Sequence, residues 1–296
     1  MVQNFRLPPA IFPAFSHCVR SLIPTSLFFA GLFVALTLQA ASPVATDKPD
    51  AVPKPPESAL VAIPQPGQPF QNSLGMKFVP VGPTKVLFAI WDVRVKDFDA
   101  FAATTGYTKI KPKFEQSPTH PVVFVSWDDA QDFCSWLTQK EQQAGRLGKT
   151  QVYRLPTDRE WSLAAGLDEP DAGTPEEKDK QGRPQKRFPW GYEWPAPKNA
   201  GNFDSSTGTD TFLNTSPVGS FAANKYGLYD MGGNVWQWCE DFLNGYSGAR
   251  VVRGGSYFNG AVENLYVTRR DSYESNIHSG LVGFRVVIAD TTGTPF

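Results

Sequence analysis

The sequence predicts an α+β domain with a low content of secondary structure, in which short strands lead into short helices and much of the chain is irregular. The chain has 25 glycines and 26 prolines among its 296 residues, and 13% of the residues are aromatic. Glycine and proline set the backbone of turns, and large rings anchor irregular segments. Strand-like and helix-like patterns alternate in short stretches, so few long helices are expected.

The composition limits the classes of protein to which the chain can belong. The 28 basic and 29 acidic residues give a formal net charge of −1. No overall electrostatic field therefore attracts nucleic acid or an acidic substrate, and no nucleic-acid partner is expected. With 41% hydrophobic residues, the chain is long enough to bury one large core or two small ones.

Residues 1–41 have the pattern of a signal peptide or N-terminal anchor. Arg6 and Arg20 precede the uncharged run 22–38, and small residues at 40–42 permit cleavage. The run has about 17 residues, the lower limit for spanning a bilayer, so an uncleaved membrane tether remains the alternative. We expect an extracytoplasmic location, periplasmic or secreted. Cys18 precedes the run and is not placed like a lipidated cysteine.

Residues 42–69 are predicted to form a proline-rich linker. Eight prolines fall between positions 43 and 69 with little apolar periodicity, which is typical of an extended tether. The globular domain is predicted at 70–290, without internal repeats, and 291–296 form a tail.

Two strand–helix units open the domain. Residues 84–93 are rich in β-branched and aromatic side chains and predict a strand, followed by a short helix that ends near Gly106. Residues 121–125 predict a second strand, after which Ser126 and Asp129 have the spacing of a capping box. The buried face of this second helix is predicted at Trp127, Ala130, Phe133, Cys134 and Leu137.

A third helix and a polar insertion follow. Thr157 and Glu160 form another capping box, and the helix that carries Trp161 is predicted to stop at Gly166. Residues 168–187 have mixed charge and no apolar face, which indicates a solvated surface insertion.

The last third of the chain is predicted to be mostly loop, closed by strands at 250–257 and 283–288. In the second of these strands, alternation leaves Arg285 on the face opposite to three apolar residues: Phe284, Val286 and Ile288.

Residues 226–241, YGLYDMGGNVWQWCED, combine a glycine-rich turn with two tryptophans at alternate positions. A strand would place Trp236 and Trp238 on one buried face and leave Asn234 and Gln237 to point elsewhere. Asp230, Gln237 and backbone carbonyls between them would form a cup of oxygen atoms, which suits a hard cation such as calcium. The alternative is a glycine-rich turn with two core tryptophans and no ligand.

Seven segments occur in the order typical of one family: NSLGMKFVPV, PVVFVSWDDAQDFCSWL, YRLPTDREW, FPWG, SPVGSFAANKYGLYDMGGNVWQW, RVVRGGSY and GFRVV. The domain thus resembles the formylglycine-generating enzymes, or sulfatase-modifying factors. The resemblance implies an irregular α+β fold related to C-type lectins. Active members are secretory oxidases that use copper and dioxygen to convert a cysteine of a client sulfatase into formylglycine.

The resemblance also implies two structural calcium sites, which we call the first and second cups. The first cup would use the Asn202 side chain, the Phe203 carbonyl, Asp210 and the Phe212 carbonyl. The second would use Asp230, the carbonyls of Gly233 and Val235, and Gln237. Many relatives have Glu at position 237, so calcium affinity should be modest, with Kd on the order of 10⁻⁴ to 10⁻³ M.

The copper site of the oxidases that this domain resembles is missing from the sequence. In them a cysteine pair shortly after RGGSY holds copper(I), a soft ion that prefers thiolates. This chain has Asn259 and Asn264 in that region and no cysteine after Cys239. Copper is therefore not expected. A disulfide between Cys134 and Cys239 is conceivable in an oxidising compartment, but two cysteines define no framework.

Besides Asn259 and Asn264, three residues are candidates for lining a ligand-binding groove: Ser256, Tyr257 and Arg270. Ser256 and Tyr257 correspond to positions near the catalytic groove of the resembling family. The arginines at 253, 269 and 270 would form either a basic cleft or structural ion pairs. His120 and His278 make no metal-binding pair by their spacing.

Two hypotheses follow from this pattern. The first is an exported, calcium-stabilised binding or accessory module that has kept the fold and groove but lost the oxidase chemistry; its ligand would be a protein, peptide or glycan. The alternative is an enzyme that oxidises a sulfatase cysteine with unrecognised metal ligands, or that does different chemistry in the same groove. The missing cysteines favour the first.

Overall fold

The computed structural model describes residues 63–170, 172–182 and 185–296. Within them lie four helices and nine short strands: β1 (Phe70–Gln71), β2 (Lys77–Pro80), β3 (Leu87–Ala89), α1 (Val95–Thr105), α2 (Trp127–Gln143), β4 (Gln151–Arg154), α3 (Asp158–Ala164), α4 (Pro175–Gly182), β5 (Trp236–Phe242), β6 (Arg250–Arg253), β7 (Arg270–Tyr273), β8 (Val282–Phe284) and β9 (Val287–Asp290). The predicted signal or anchor segment and most of the linker lie outside the described residues. No described helix is long and apolar enough to cross a membrane.

The strands form two sheets, and the chain changes sheet at Arg285. One sheet has the order β1-β2-β3-β9-β4, and the other has the order β7-β6-β5-β8. The predicted strand 283–288 is therefore two strands, with β8 parallel to β5 in one sheet and β9 antiparallel to β3 and β4 in the other. This crossover places Arg285 between the two sheets.

The predicted helix starts are confirmed, because capping depends on residues three apart in sequence. Ser126 and Asp129 form a reciprocal capping box at α2, and Thr157 and Glu160 form one at α3. Helix α1 ends at Gly106, which has a left-handed conformation with φ of 76°.

Three predicted strands are shorter or absent. The strand predicted at 84–93 is reduced to β3, and the strand predicted at 250–257 is reduced to β6. Residues 121–125 form no sheet strand, because Phe124 has a φ of 57° and interrupts the extended backbone after a single bridge between Pro121 and Arg94.

The prediction that residues 168–187 are a solvated insertion is wrong in part. They contain α4, on which Lys178 and Asp179 are buried. Asp179 accepts hydrogen bonds from the backbone N–H of Arg270 and the side chain of Arg269. These partners are about ninety residues away in the sequence, so no local sequence pattern indicates that Asp179 is buried.

Two large apolar clusters form most of the core of the described residues, beside a small third cluster of Phe188, Phe203 and Leu265. The first contains Trp236, Trp238 and Cys134, and the second contains Trp161 and Cys239. Both cysteines are buried and free, so the conceivable disulfide between them is not formed.

Candidate functional site

The two tryptophans of β5 are buried on one face, as their alternation predicts. Trp236 and Trp238 both belong to the first core cluster, and the indole Nε1–H of Trp238 donates to the Val125 carbonyl at 3.1 Å. Gln237, between them, points to the other side of the strand and is fully buried. The turn before β5 is thus held rigidly against the core, and its polar atoms face the crossover at Arg285.

Gln237 makes three hydrogen bonds to protein groups. Its Oε1 accepts from Trp161 Nε1–H at 2.9 Å and from Arg285 Nε–H at 3.1 Å, and its Nε2 donates to the Asp230 carbonyl at 2.7 Å. Indole and guanidinium nitrogens only donate, so they fix which end of the amide faces them. Both acceptor positions of Oε1 are occupied.

The second cup therefore does not fit calcium as the family resemblance implies. Gly233 and Val235 lie buried between Asp230 and Gln237 in the chain, and Gln237 Nε2 bonds the Asp230 carbonyl. The Gln237 oxygen, however, already accepts two hydrogen bonds and has no lone pair left for a cation. The Arg285 guanidinium, bonded to that same oxygen, also puts a positive charge beside the cup. Asp230 accepts from the Gly219 N–H at 2.8 Å, and burial raises the pKa of its carboxyl.

The first cup fits calcium better, because one of its oxygens is buried without a partner. Asn202 Nδ2 donates to the Asn214 carbonyl at 2.8 Å, which leaves Asn202 Oδ1 buried with no hydrogen bond. Asp210 closes the loop by accepting from the N–H groups of Phe203 and Phe212 at 3.1 and 2.7 Å. The Asp210 carboxylate also accepts from the Thr209 hydroxyl at 3.0 Å. An amide oxygen without a partner, a carboxylate and two backbone carbonyls are the kinds of donor that hard cations prefer.

The two cups touch through their backbones. The Asn234 N–H donates to the Asn202 carbonyl at 2.7 Å. A Cβ atom on Gly233 would lie 2.5 Å from that same carbonyl oxygen, so position 233 requires glycine for this close approach. The loop of the first cup is thus fixed to the turn that precedes β5.

Asn259 and Asn264, which follow RGGSY in the sequence, both approach Gly255. A Cβ on Gly255 would be 3.3 Å from the Asn264 carbonyl oxygen and 3.7 Å from Asn259 Oδ1. Asn259 Oδ1 accepts from the backbone N–H and the hydroxyl of Ser256, at 2.8 and 2.9 Å. Asn259 therefore closes a tight turn, and Ser256 is fully buried in it.

Tyr257 follows this turn and is half-buried. Its ring packs edge-on against Phe114 at 6.0 Å between centroids. Burial raises the pKa of its hydroxyl, so the group is a neutral hydrogen-bond donor at physiological pH. Of the groove candidates, Tyr257, Asn259 and Asn264 retain partial exposure.

Arg270 does not line an open groove, because it is buried in an ion-pair cluster with Arg253. Both guanidiniums bond the carboxylate of Asp158, and Arg270 also pairs with Glu169. Burial alone raises the pKa of Asp158, but the two arginines outweigh it and hold that pKa below its ordinary value. Of the two alternatives for these arginines, the structure has ion pairs rather than a basic cleft.

The two histidines of the described residues lie in different places. His120 Nδ1 is 3.0 Å from the Thr215 hydroxyl, and burial lowers its pKa. His278 Nε2 is 2.8 Å from the carboxylate of Asp129, the capping residue of α2. Within the described ranges, no group of three or more His, Cys, Asp or Glu residues could hold a metal ion.

Asp92 is a buried group that sequence reasoning missed. It lies just after β3 in the predicted strand, where alternation does not distinguish a buried carboxylate from an exposed one. Both of its carboxylate oxygens are buried without a hydrogen bond. Burial raises its pKa to about 8, although Arg285 opposes the shift.

The sequence matches the family described as "Sulfatase-modifying factor enzyme 1-like domain" over residues 78–290. It is 34% identical over 192 residues to a formylglycine-generating enzyme of Streptomyces coelicolor, an alignment that covers 57% of this chain and 52% of that enzyme. It is 32% identical over 175 residues to the inactive C-alpha-formylglycine-generating enzyme 2 of Bos taurus, covering 56% of this chain and 49% of that protein. The alignments thus span about half the length of these relatives.

Among solved structures, PvdO from Pseudomonas aeruginosa shares the fold. The TM-score is 0.51 at 20% sequence identity, and the superposition covers 76% of this chain and 99% of that one. A likeness at this identity concerns the architecture alone. It confirms the α+β fold class predicted from the sequence.

Proposed function

Because the chain belongs to the family of sulfatase-modifying factor enzyme 1-like domains, we propose that it is an exported, calcium-stabilised binding or accessory module that does not carry out copper-dependent oxidation. The family membership alone does not fix an activity, since function resides in the site and not in the fold. The proposal therefore depends on the residues that occupy the groove after Gly255.

The observation that carries the proposal is the hydrogen bonding of Asn259. Its Oδ1 is committed to the N–H and hydroxyl of Ser256, so the side chain has a structural task in the turn. Amide groups are hard donors and poor ligands for copper(I). Neither Asn259 nor Asn264 supplies the thiolate that copper oxidation of a thiol requires, so we expect the groove to bind a ligand without oxidising it.

Calcium is proposed for the first cup. Asn202 Oδ1, the carbonyls of Phe203 and Phe212, and Asp210 would hold the ion there. The buried, unpartnered Asn202 oxygen supports this assignment, because a bound cation would satisfy it. When bound, calcium would fix the loop 202–212 in one conformation, as hard cations do in extracellular modules.

The relatives are compatible with a module of this kind. The family contains active enzymes, such as that of Streptomyces coelicolor, and a protein named as inactive in Bos taurus. Since each alignment spans about half of the relative's length, neither the activity of the first nor the inactivity of the second transfers directly to this chain. The residues of its own groove favour the binding role.

The deciding experiment is an oxidation assay with the purified full chain. The protein is loaded with copper and given a peptide that carries a sulfatase cysteine motif, and the peptide is analysed by mass spectrometry for conversion of cysteine to formylglycine. We expect no aldehyde above that produced by copper alone. Formation of aldehyde by the unmutated protein would favour the alternative, an enzyme with different metal ligands.

Export is tested separately. N-terminal sequencing of the mature protein should find a start between about positions 41 and 43 for a cleaved signal. An uncleaved chain in the membrane fraction would indicate the anchor instead. A soluble cytosolic chain that begins at Met1 would contradict export in either form.

A further inference from the structure

A pocket of about 260 Å³ lies next to the second cup. Its apolar lining consists mainly of Pro189, Trp190, Pro197, Phe221, Leu228 and Met231. Its polar lining includes Lys198, Asn199, Asn224 and Asp230. Sites for drug-sized ligands are typically about 300–1,000 Å³, so this cavity suits a single ring system with a short polar arm.

The two aromatic walls of the pocket rest on the loop of the first cup. Trp190 packs edge-on against Phe203 at 5.5 Å between centroids, and Phe221 packs edge-on against Phe212 at 6.2 Å. Phe203 and Phe212 are the residues whose carbonyls belong to the first cup. A cation that fixes those carbonyls would therefore also fix the rings that support Trp190 and Phe221.

The orientation of Trp190 is set from two further directions. Its ring stacks on Phe188 with centroids 4.8 Å apart and an interplanar angle of 2°, and its Nε1–H donates to the Glu193 carbonyl at 2.9 Å. The indole is thus presented to the pocket as a fixed plane. A pre-positioned ring loses little conformational entropy when a ligand stacks on it.

Asp230 is the acidic residue in the lining. It is 6% exposed, and its carboxylate accepts one hydrogen bond, from the Gly219 N–H, and makes no other to a described residue. The nearby Arg285 directs its N–H groups to Gln237, Ala89 and Tyr229 instead. The amide of Asn224 is used internally: its Oδ1 accepts two backbone N–H groups, and its Nδ2 donates to Ala164.

We propose that this pocket binds a compact aromatic ammonium compound of the arylalkylamine class. The ring of the ligand packs against Trp190 and Phe221, and its ammonium group bonds the free side of the Asp230 carboxylate. A cation beside an indole face gains cation–π attraction, and an ammonium–carboxylate hydrogen bond is stronger than a neutral one. Lys198, which also belongs to the lining, is exposed, whereas Asp230 is buried.

The pocket should discriminate between aromatic ligands of opposite charge. An aromatic acid of the same size would bring a second carboxylate to Asp230, and the two like charges would repel each other. The expected dependence on calcium is the only part of this inference that rests on the function proposed above.

The test compares tryptamine with indolepropionate, which have the same ring and opposite charge. Binding to the full chain is measured by calorimetry and by thermal shift, in calcium and in chelator. We expect tryptamine to bind at least about tenfold more tightly than indolepropionate in calcium, and more weakly in chelator. Asp230→Asn keeps the side-chain shape and should weaken tryptamine binding about tenfold or more.

Phe221→Ala should also weaken binding, because it removes one wall, whereas Tyr246→Ala, at an exposed ring elsewhere, should not. Each variant is first checked for an unchanged unfolding transition. Absence of tryptamine binding in calcium, or equal binding of the acid, overturns the pocket assignment. Equal tryptamine affinity in calcium and in chelator would contradict only the expected dependence of the pocket on calcium. If the protein binds tryptamine but its Tm does not change with calcium, the pocket assignment stands and the calcium proposal is contradicted.

Discussion

Asp92 and Arg285 are both fully buried and face each other, yet the nearest oxygen and nitrogen of the pair, Asp92 Oδ1 and Arg285 Nη2, are 3.7 Å apart. That separation is too long for a hydrogen bond. Arg285 instead donates to Gln237, Ala89 and Tyr229. Asp92 is thus a buried acid that attracts a cation but lacks the hydrogen bonds that would stabilise its ionised form.

The first prediction concerns the pH dependence of Asp92→Asn. Burial raises the pKa of Asp92 to about 8, so the folded protein holds a proton that the unfolded chain releases above about pH 4. The stability contributed by this proton is present at low pH and is lost as pH rises toward 8. One such group contributes a slope of about −1.4 kcal/mol per pH unit to the free energy of unfolding.

Asp92→Asn should remove that slope between about pH 5 and 8, measured by urea unfolding across this range. Asp168→Asn, at an exposed position, is the matched control and should leave the slope as it is. If the free energy of unfolding of Asp92→Asn had the same pH dependence as that of the unmutated chain, Asp92 would be ionised in the folded protein.

The sequence could predict what depends on near neighbours. The capping boxes at Ser126 and Thr157 and the burial of Trp236 and Trp238 follow from spacings of two or three residues. The positions of Gln237 and Arg270 could not be predicted, because their partners are distant: Trp161 is 76 residues from Gln237, and Asp158 is 112 residues from Arg270. A sequence pattern carries no signal for hydrogen bonds that only the completed fold creates.

The second prediction concerns the buried cluster around Asp158. The carboxylate of Asp158 faces two buried guanidiniums, Arg253 and Arg270. Asp158→Asn keeps the shape but leaves both cations without this anion, so it should lower the free energy of unfolding by about 3–5 kcal/mol. Urea unfolding at neutral pH measures the change.

Glu176→Gln serves as the control for Asp158→Asn. Glu176 pairs with Lys180 on the surface of α4 at 2.7 Å, and an exposed pair of this kind contributes about 0–1 kcal/mol. Equal effects of the two substitutions would contradict the structural role assigned to the cluster.

The third prediction concerns calcium at the first cup. A ligand that binds only the folded state adds about 1.4 kcal/mol of stability at ten times its Kd. Removal of calcium with a chelator should therefore lower the Tm, and Asp210→Asn should abolish most of that response. Asp230→Asn should leave it nearly intact, because the second cup does not offer a free Gln237 oxygen. A calcium response that depended on Asp230 and not on Asp210 would reverse the assignment of the two cups.

The fourth prediction concerns the second cup and uses Gln237→Glu. A carboxylate at 237 cannot donate to the Asp230 carbonyl, as the amide Nε2 does at 2.7 Å, so two oxygens would face each other there. A cation between them would relieve the repulsion. We expect the variant to bind one more calcium ion per chain than the unmutated protein, as counted by elemental analysis after dialysis. Gln142→Glu, on α2, should leave the count unchanged. An unchanged count for Gln237→Glu would contradict the prediction and show that Arg285 alone satisfies the new carboxylate.

The last prediction concerns copper and the two asparagines of the groove. The Asn259 side chain and the Asn264 backbone carbonyl both approach Gly255, so we expect cysteines at the two positions to lie close together. Asn259→Cys combined with Asn264→Cys should bind copper(I) at least about tenfold more tightly than either single variant, because two soft ligands hold the ion jointly. Competition with a chromogenic copper(I) chelator measures this difference. Restored binding does not require restored oxidation, since Asn259→Cys also removes the acceptor for the Ser256 N–H and hydroxyl, which loosens the turn. If the double variant binds copper(I) no better than the single variants, the two positions do not form a common copper site in this chain.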